Sequence, residues 1–510
     1  MKVSLRALVK VLNPPPKKWS GRQEGEAAHL TTHADSVTSD SLFVAIRGNS
    51  VDGHHFLPEL LSKKPAVLVV EDPSSIAHLI DQGTTALLVV ENTRKALAQL
   101  SALFYQFPWK NMDVVGITGT NGKTTTTYLC ESIARSAGKI PAIMGTIETR
   151  CGDWMAPSKL TTPAPPRLHE LITEIAEKGA THLFAEVSSH ALDQFRFYAI
   201  DISVAAFTNL TQDHLDYHHS MEHYFGSKAR LFTEYLPDST AKYPTAVINL
   251  DDPWGKLLVK KIPSHCRLLT YALDAEDASV KVLQYELSLK GIRAAIRIPQ
   301  GLIEIRSSLI GQHNLSNIAC AAAIASALEF SADRIVEGIS HLKGVPGRLE
   351  GIEEGQSFGV FVDYAHTDDA LHGVLTALRT LSSKSRVITV FGCGGDRDPK
   401  KRPLMAKAVS EMSDYAIITS DNPRTESPKK IILEILGGLP PHFREGEHWR
   451  VIEDRRGAIE TALSLAKGED VVLIAGKGHE AYQIIGKKTL PFDDREVARG
   501  WLRRRFRYEG

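Results

Sequence analysis

The run Val114-Val115-Gly116-Ile117-Thr118-Gly119-Thr120-Asn121-Gly122-Lys123-Thr124-Thr125 carries an apolar strand candidate into a glycine-rich turn, and a helical pattern follows from Thr126 to Ala137. A strand, a tight turn and a helix N-terminus form an anion cradle. Backbone N–H groups and the helix dipole favour phosphate, Lys123 adds a point charge, and the Thr124 hydroxyl can ligate Mg2+. The usual spacing puts a glycine where this chain has Ile117, so the loop is a variant with Gly116 and Gly119 nearby. A turn that binds nothing is the plain alternative. The strand, the Gly-Lys-Thr triplet and the helix together favour nucleotide.

Outward from this loop, short apolar runs alternate with helical patterns. Ala66–Val70, Ala86–Val90, His182–Val187, Ile202–Thr208 and Thr245–Asn249 read as buried strands, and so do Gly359–Asp363, Val387–Phe391, Tyr415–Thr419 and Val471–Ala475. Such runs between helices predict an α/β chain of parallel sheets covered on both faces. Phe107-Pro108-Trp109-Lys110-Asn111 and Gly344-Val345-Pro346-Gly347 punctuate the pattern. They divide the 510 residues into three predicted domains: a smaller N-terminal α/β domain over 1–112, a P-loop-type parallel-sheet domain over 113–345, and a Rossmann-like domain over 346–510.

The 60 Lys+Arg and 60 Asp+Glu cancel, which argues against a polybasic nucleic-acid binder and against an acidic tail. No uninterrupted apolar stretch is long enough to span a membrane, and Arg6 and Lys10 break the only apolar N-terminal run. Five cysteines without paired spacing suggest neither a zinc site nor a disulfide framework, so reduced thiols in the cytoplasm are expected.

Two further places invite chemistry. Glu186 ends a buried strand near the phosphate loop, where a Mg2+ ligand belongs; capping the next helix is the alternative. If Glu222–Leu236 is a helix, Lys228 lies on the same face as Tyr224, Phe225, Leu231, Phe232 and Tyr235. A lysine amid an apolar stripe either snorkels to water or is desolvated, neutral and able to add CO2.

Gly119-Thr120-Asn121-Gly122-Lys123-Thr124-Thr125 resembles the ATP loop of the Mur ligase family and its folylpolyglutamate synthetase relatives, which are ATP-dependent amide-bond ligases. Further strings carry the resemblance: Glu186-Val187-Ser188-Ser189-His190, Thr208-Asn209-Leu210 with Asp213-His214-Leu215-Asp216, Tyr224–Lys228, and Asp421-Asn422-Pro423-Arg424. The resemblance implies Mg2+, in two sites, held through Thr124, Glu186, His214 and Lys228 as its carbamate. It implies ATP contacts from Asn317, Arg348 and Asp363, with Lys123, Lys228, His214 and Arg348 as catalytic groups. Thr161, Thr162, Ser188, Gln194 and Arg196 match positions that hold a UDP-N-acetylmuramoyl dipeptide, and Asn49, Ser50 and Val51 match uridine-side positions of an N-terminal UDP-binding domain. Arg397, Asp421, Asn422, Pro423, Arg424, Gly476 and Glu480 match the amino-acid site of members that add meso-diaminopimelate. An arginine fork suits that amino acid's second carboxylate, which lysine lacks. Asp368 and His219 depart from the usual Pro and Gly.

The expected reaction forms an acyl phosphate on the dipeptide's γ-carboxylate, which the diaminopimelate amine then attacks. The expected partners are small molecules, with no nucleic acid and no membrane span, and the chain is expected to be a monomer. A lysine-adding ligase, a folylpolyglutamate synthetase and an inactive scaffold are the alternatives. Arg424 weighs against the first and the UDP-type N-terminal domain against the second. Lys123, Glu186, His214 and Lys228 weigh against the third.

Overall fold

The computed structural model describes residues 2–48, 51–76, 78, 84–382 and 384–506. The chain divides into two compact units, residues 1–281 with 297–301 and 317–338, and residues 282–296 with 302–316 and 339–510.

The first unit contains, beside a two-stranded ribbon of Val3–Ser4 and Glu26–Ala27, two main sheets. The smaller runs Lys18–Gly21, Ala86–Val89, Val67–Val70, Ser41–Val44 and His29–Thr31, and only Lys18–Gly21 is antiparallel to its neighbour. The larger has the phosphate-loop strand Asp113–Thr118 between His182–Glu186 and Val204–Phe207, both parallel to it. Pro141–Met144 extends the parallel set on one side, and Thr245–Asn249 and Arg267–Ala272 extend it on the other. Apolar side chains cover both faces, which is why these strands read as unbroken apolar runs. Register places Glu186 beside Ile117 and Phe207 beside Thr118, so three strands deliver their carboxyl ends together.

The second unit has a two-stranded ribbon of Tyr482–Ile485 and Lys488–Pro491, and a main sheet in the order Glu350–Gly351, Gly359–Asp363, Val471–Ala475, Val387–Phe391, Tyr415–Ile418, Trp449–Val451. All but the first pairing are parallel. Val471, Val472, Leu473, Ile474 and Ala475 are fully buried, and each large aliphatic side chain so placed contributes about 1.5–3 kcal/mol.

The predicted strands form with ends shifted by at most two residues. Two helices differ from expectation. The phosphate-loop helix starts at Lys123, three residues early, because Gly122 at φ +89° turns the chain directly into it. The predicted helix over Glu222–Leu236 is α-helical only over Met221–Arg230. Leu231–Tyr235 is a π-helical turn, and Leu236–Asp238 is a 3-10 turn. The wider turn still buries Leu231, Phe232 and Tyr235, and the Tyr235 hydroxyl donates to Leu192 O at 3.2 Å. All five cysteines are free and buried. Among the described residues no helix is long and apolar enough to cross a membrane.

Candidate functional site

In the first unit, Gly119 has φ +150°, and a Cβ there would overlap the Thr208 hydroxyl. Only glycine lets the loop lie this close to the neighbouring strand's end. The Lys123 Nζ folds back to donate to Gly119 O at 2.9 Å and Thr120 O at 2.8 Å. The Lys228 Nζ donates to the same Gly119 O at 2.8 Å. Lys228 is 1% exposed and lies under the Tyr224 ring, so it does not snorkel. Burial first, and the Lys123 charge second, push its ammonium well below the ordinary lysine value. It is therefore disposed to be neutral.

Glu186 is also 1% exposed. Its carboxylate accepts from the Thr124 hydroxyl at 3.1 Å and from the Thr146 N–H and hydroxyl, both at 2.9 Å. It bonds the first turn of the phosphate-loop helix and does not cap the helix that follows it. That helix is capped by Ser188, whose hydroxyl accepts from Ala191 N. A Cβ on Gly145 would collide with the Glu186 carboxylate, so the space beside it exists only for want of a side chain. A carboxylate and a hydroxyl are hard oxygen donors of the kind Mg2+ takes alongside water and phosphate. No group of three His, Cys, Asp or Glu side chains suited to a metal occurs among the described residues. The donor set thus fits a cation completed by substrate oxygens.

His214 adopts φ +54° and sits beside Asp213, with its Nε2 3.4 Å from the carboxylate. Its ring stands edge-on to His190 at 4.9 Å, and burial lowers its pKa. Asn317 lies against Gly122, close enough that a Cβ there would overlap its amide oxygen.

The predicted dipeptide-binding residues form one network. The Thr162 hydroxyl donates to Glu186 O and accepts from Ser188 N. Arg196 donates to Thr162 O at 3.0 Å and to Gln194 Oε1 at 2.8 Å, and Gln194 Nε2 donates to the Tyr217 hydroxyl. The Thr161 hydroxyl pairs with Thr146 at 3.0 Å. Burial, and then the nearby Arg94, lower the Arg196 pKa. Val51 is exposed, while Asn49 and Ser50 lie outside the described residues.

In the second unit, Asp363 ends its strand buried. Its two carboxylate oxygens accept from Leu349 N at 2.6 Å and Ala365 N at 2.7 Å. Burial raises its pKa against the opposing pull of Arg348, which lies over the Tyr364 ring. Glu480 accepts from Asn422 Nδ2 at 2.9 Å and from the fully buried Lys477 at 3.2 Å. Lys477 also donates to Asn422 Oδ1. Gly476 leaves room for Asp421, whose carboxylate a Cβ would crowd. The Arg424 Nη1 donates to Gly395 O at 2.8 Å, and Arg397 Nη1 donates to Asp396 O at 3.2 Å. Pro423 O accepts from Glu426 N.

Sequence reasoning missed Thr146, Tyr217 and Lys477 as partners of these groups, and it missed the Arg455–Asp494 pair. Arg455 donates through two nitrogens to a carboxylate that is itself fully buried. Its η-nitrogen lies 4.0 Å from Asp421. A lysine within Gly476-Lys477-Gly478 was visible, but nothing local marked it as buried.

Three family models match separate stretches of the chain: the Mur ligase family catalytic domain over 26–105, the Mur ligase middle domain over 117–325, and the Mur ligase glutamate ligase domain over 347–478. A Geobacter metallireducens protein named UDP-N-acetylmuramoyl-L-alanyl-D-glutamate–2,6-diaminopimelate ligase is 43% identical, covering 96% of this chain and 97% of its own. An Aquifex aeolicus protein of the same name is 42% identical, covering 92% of each. A solved structure described by that name superposes with TM-score 0.70 at 31% identity, covering 98% of this chain and 99% of its own. A Mycobacterium tuberculosis folylpolyglutamate synthase, at 18% identity and TM-score 0.60, shares the fold.

Proposed function

The chain belongs to the Mur ligase family, and on that premise we propose that it joins meso-diaminopimelate to UDP-N-acetylmuramoyl-L-alanyl-D-glutamate, using ATP and Mg2+. The relatives bearing that activity's name support the choice of substrates. One observation carries the chemistry: the Lys123 and Lys228 side-chain nitrogens meet on a single carbonyl of the phosphate loop, Gly119 O.

Each residue has a task in this reading. The 119–125 loop binds the ATP phosphates through its N–H groups, and Lys123 neutralises charge that grows on the transferred phosphoryl group. Asn317, Arg348 and Asp363 contact the rest of the nucleotide. Thr161, Thr162, Ser188, Gln194 and Arg196, with Asn49, Ser50 and Val51, hold the UDP-sugar dipeptide. Lys228, its amine neutral through burial, attacks the carbon of CO2 and gives a proton to solvent, so the buried amine becomes a carbamate anion. Thr124, Glu186, His214 and that carbamate would hold Mg2+ in two sites, which supplies charge neutralisation at the phosphate and acyl oxygens. Arg397 and Arg424 hold one carboxylate of diaminopimelate, Asp421 and Glu480 face its ammonium, and Asn422, Pro423 and Gly476 shape the pocket floor. The work divides among 1–112, 113–345 and 346–510, a division supported by the separate extents of the three family models. The setting is peptidoglycan precursor synthesis in the cytoplasm.

The test measures ADP release with the UDP-sugar dipeptide and either meso-diaminopimelate or L-lysine. Turnover that prefers diaminopimelate is expected. Preference for lysine would sink the substrate assignment, and no turnover with either would favour a scaffold.

A further inference from the structure

Two loops carry the arginines of the proposed amino-acid site. One follows the strand Val387–Phe391 and contains Gly394–Arg397; the other follows Tyr415–Ile418 and contains Asn422–Glu426. They are stitched together. Gly395 N donates to Asn422 O at 2.9 Å, and Arg424 Nη1 donates back to Gly395 O at 2.8 Å. The Thr425 hydroxyl donates to Asp396 Oδ1 at 2.7 Å. Glu426 Oε1 accepts from Asp396 N at 2.6 Å.

Glu426 is itself clamped from behind. Arg402, on the helix Lys401–Met412, has a side chain only 1% exposed. Its Nη1 donates to Glu426 Oε2 at 3.0 Å and its Nη2 to Glu426 Oε1 at 2.8 Å, a two-pronged fork. The remaining contacts of the fork are Glu434 Oε2 at 2.6 Å and Gly394 O at 3.3 Å. One guanidinium therefore touches both loops, through Gly394 on one and Glu426 on the other. The backbone is bent where it is held: Asp396 has φ +54° and Arg424 has φ +51°, conformations costly for residues with a Cβ. Holding Asp396 in that bend aims the next residue, Arg397. Holding 424 in its bend aims the other arginine.

We propose that Glu426, clamped by Arg402, is the positioning residue that fixes the spacing of Arg397 and Arg424, and so sets selectivity for an amino acid with a second carboxylate. The proposal rests on diaminopimelate being the amino acid used. Glu426 touches no substrate in this scheme. It acts through Asp396 N and the shared guanidinium. The Arg402 fork holds the Glu426 carboxyl down at about 2, so it stays an anion under any working condition. Glu426→Gln keeps the shape, but the amide has one acceptor oxygen where the carboxylate has two. Whichever way the amide turns, one prong of the fork is lost, and the Asp396 bond goes with it when the nitrogen takes the Oε1 place.

The experiment is steady-state kinetics of the full chain as parent, Glu426→Gln and Glu426→Asp, with thermal unfolding followed alongside. In Glu426→Gln the KM for diaminopimelate is expected to rise roughly 10- to 100-fold, as when other supporting hydrogen bonds around a site are cut, with KM for ATP and for the UDP-sugar dipeptide moving less than about two-fold. The kcat at saturating diaminopimelate should be largely kept, and Glu426→Asp should recover part of the lost affinity. The preference for diaminopimelate over L-lysine should fall in parallel. An unchanged KM for diaminopimelate overturns the proposal. An equal rise in KM for all three substrates also overturns it, because a loosened fold would act on all of them. Should Glu426→Gln fail to fold, Thr425→Val cuts another stitch, and the same selective rise, though smaller, is required of it. A parent that favours L-lysine or turns over neither amino acid brings down the underlying reading instead, a failure visible before any variant is assayed.

Discussion

The two units hold their most deeply buried basic side chains in different ways. In the first, the Lys228 nitrogen, 1% exposed, rests on the neutral carbonyl of Gly119. In the second, Arg402 is forked onto Glu426 and Glu434, Arg455 onto Asp494, and Lys477 onto Glu480. A buried amine whose partner is a neutral carbonyl is disposed to lose its proton. A cation on carboxylates is satisfied, and it serves to hold backbone in place. The first arrangement suits chemistry at phosphate and the second suits the shaping of a rigid pocket.

The largest effect should come at the phosphate loop. Lys123→Ala is expected to lower kcat about 10³-fold, the scale for removing a donor aimed at transition-state charge, with the fold intact by circular dichroism. A loss below ten-fold would break the contrast between the units. Lys228→Ala should cost about 10²-fold, and acetate or formate added at high concentration should restore part of the activity by standing in for the carbamate. Mass spectrometry of the intact parent in bicarbonate should show the added CO2; its absence, together with no rescue, would mean that Lys228 works as a plain cation.

Arg424→Ala should raise KM for diaminopimelate by about 10- to 100-fold, the worth of one charged hydrogen-bonding partner, with little change in kcat. A change confined to kcat would mean that Arg424 serves the reacting centre.

The smallest effect is on stability. His169 sits between Trp109 and Tyr105 in the first unit, and neither ring nitrogen has a hydrogen-bond partner. Burial lowers its pKa from 6.5 to about 3. The unfolded chain binds this proton first, so stability falls as pH drops from 6.5 towards 3, by about 2 kcal/mol at pH 5. His169→Phe should flatten that part of the pH–stability curve, as read by denaturant unfolding. Glu426, in the second unit, is shifted in the same direction but over a lower window, from 4.5 to about 2. Its contribution is present above 4.5 and is lost only as pH falls through 2, so Glu426→Gln should leave the curve between 5 and 6.5 unmoved. Identical responses from the two variants would erase the distinction.

Features written in consecutive residues were legible in the sequence. The phosphate loop, Glu186 at its strand end and Asp421-Asn422-Pro423-Arg424 are local strings, and the buried parallel strands announce themselves by unbroken apolar runs. What pairs over distance was not legible. Thr146 reaches Glu186 from 40 residues away, and Lys228 reaches Gly119 from 109 away. Arg402 and Arg455 read as ordinary charged helix residues, because burial belongs to the assembled fold. The strands over Val280–Ser288, Gly291–Ile298 and Gly301–Ser307 escaped notice because exposed polar positions interrupt their apolar ones. The π-helical turn escaped as well, since the apolar spacing across 224–235 fits an ordinary helix.

That turn makes chain length a determinant in its own right. Lys228 stands before it and Tyr235, anchored to Leu192, closes it. Removing one residue from 231–235 would rotate everything beyond by about 100° and draw it in by about 1.5 Å. Lys228 and the Tyr235 anchor could not then both keep their partners. A substitution in that segment leaves this spacing intact, whereas an insertion or a deletion does not.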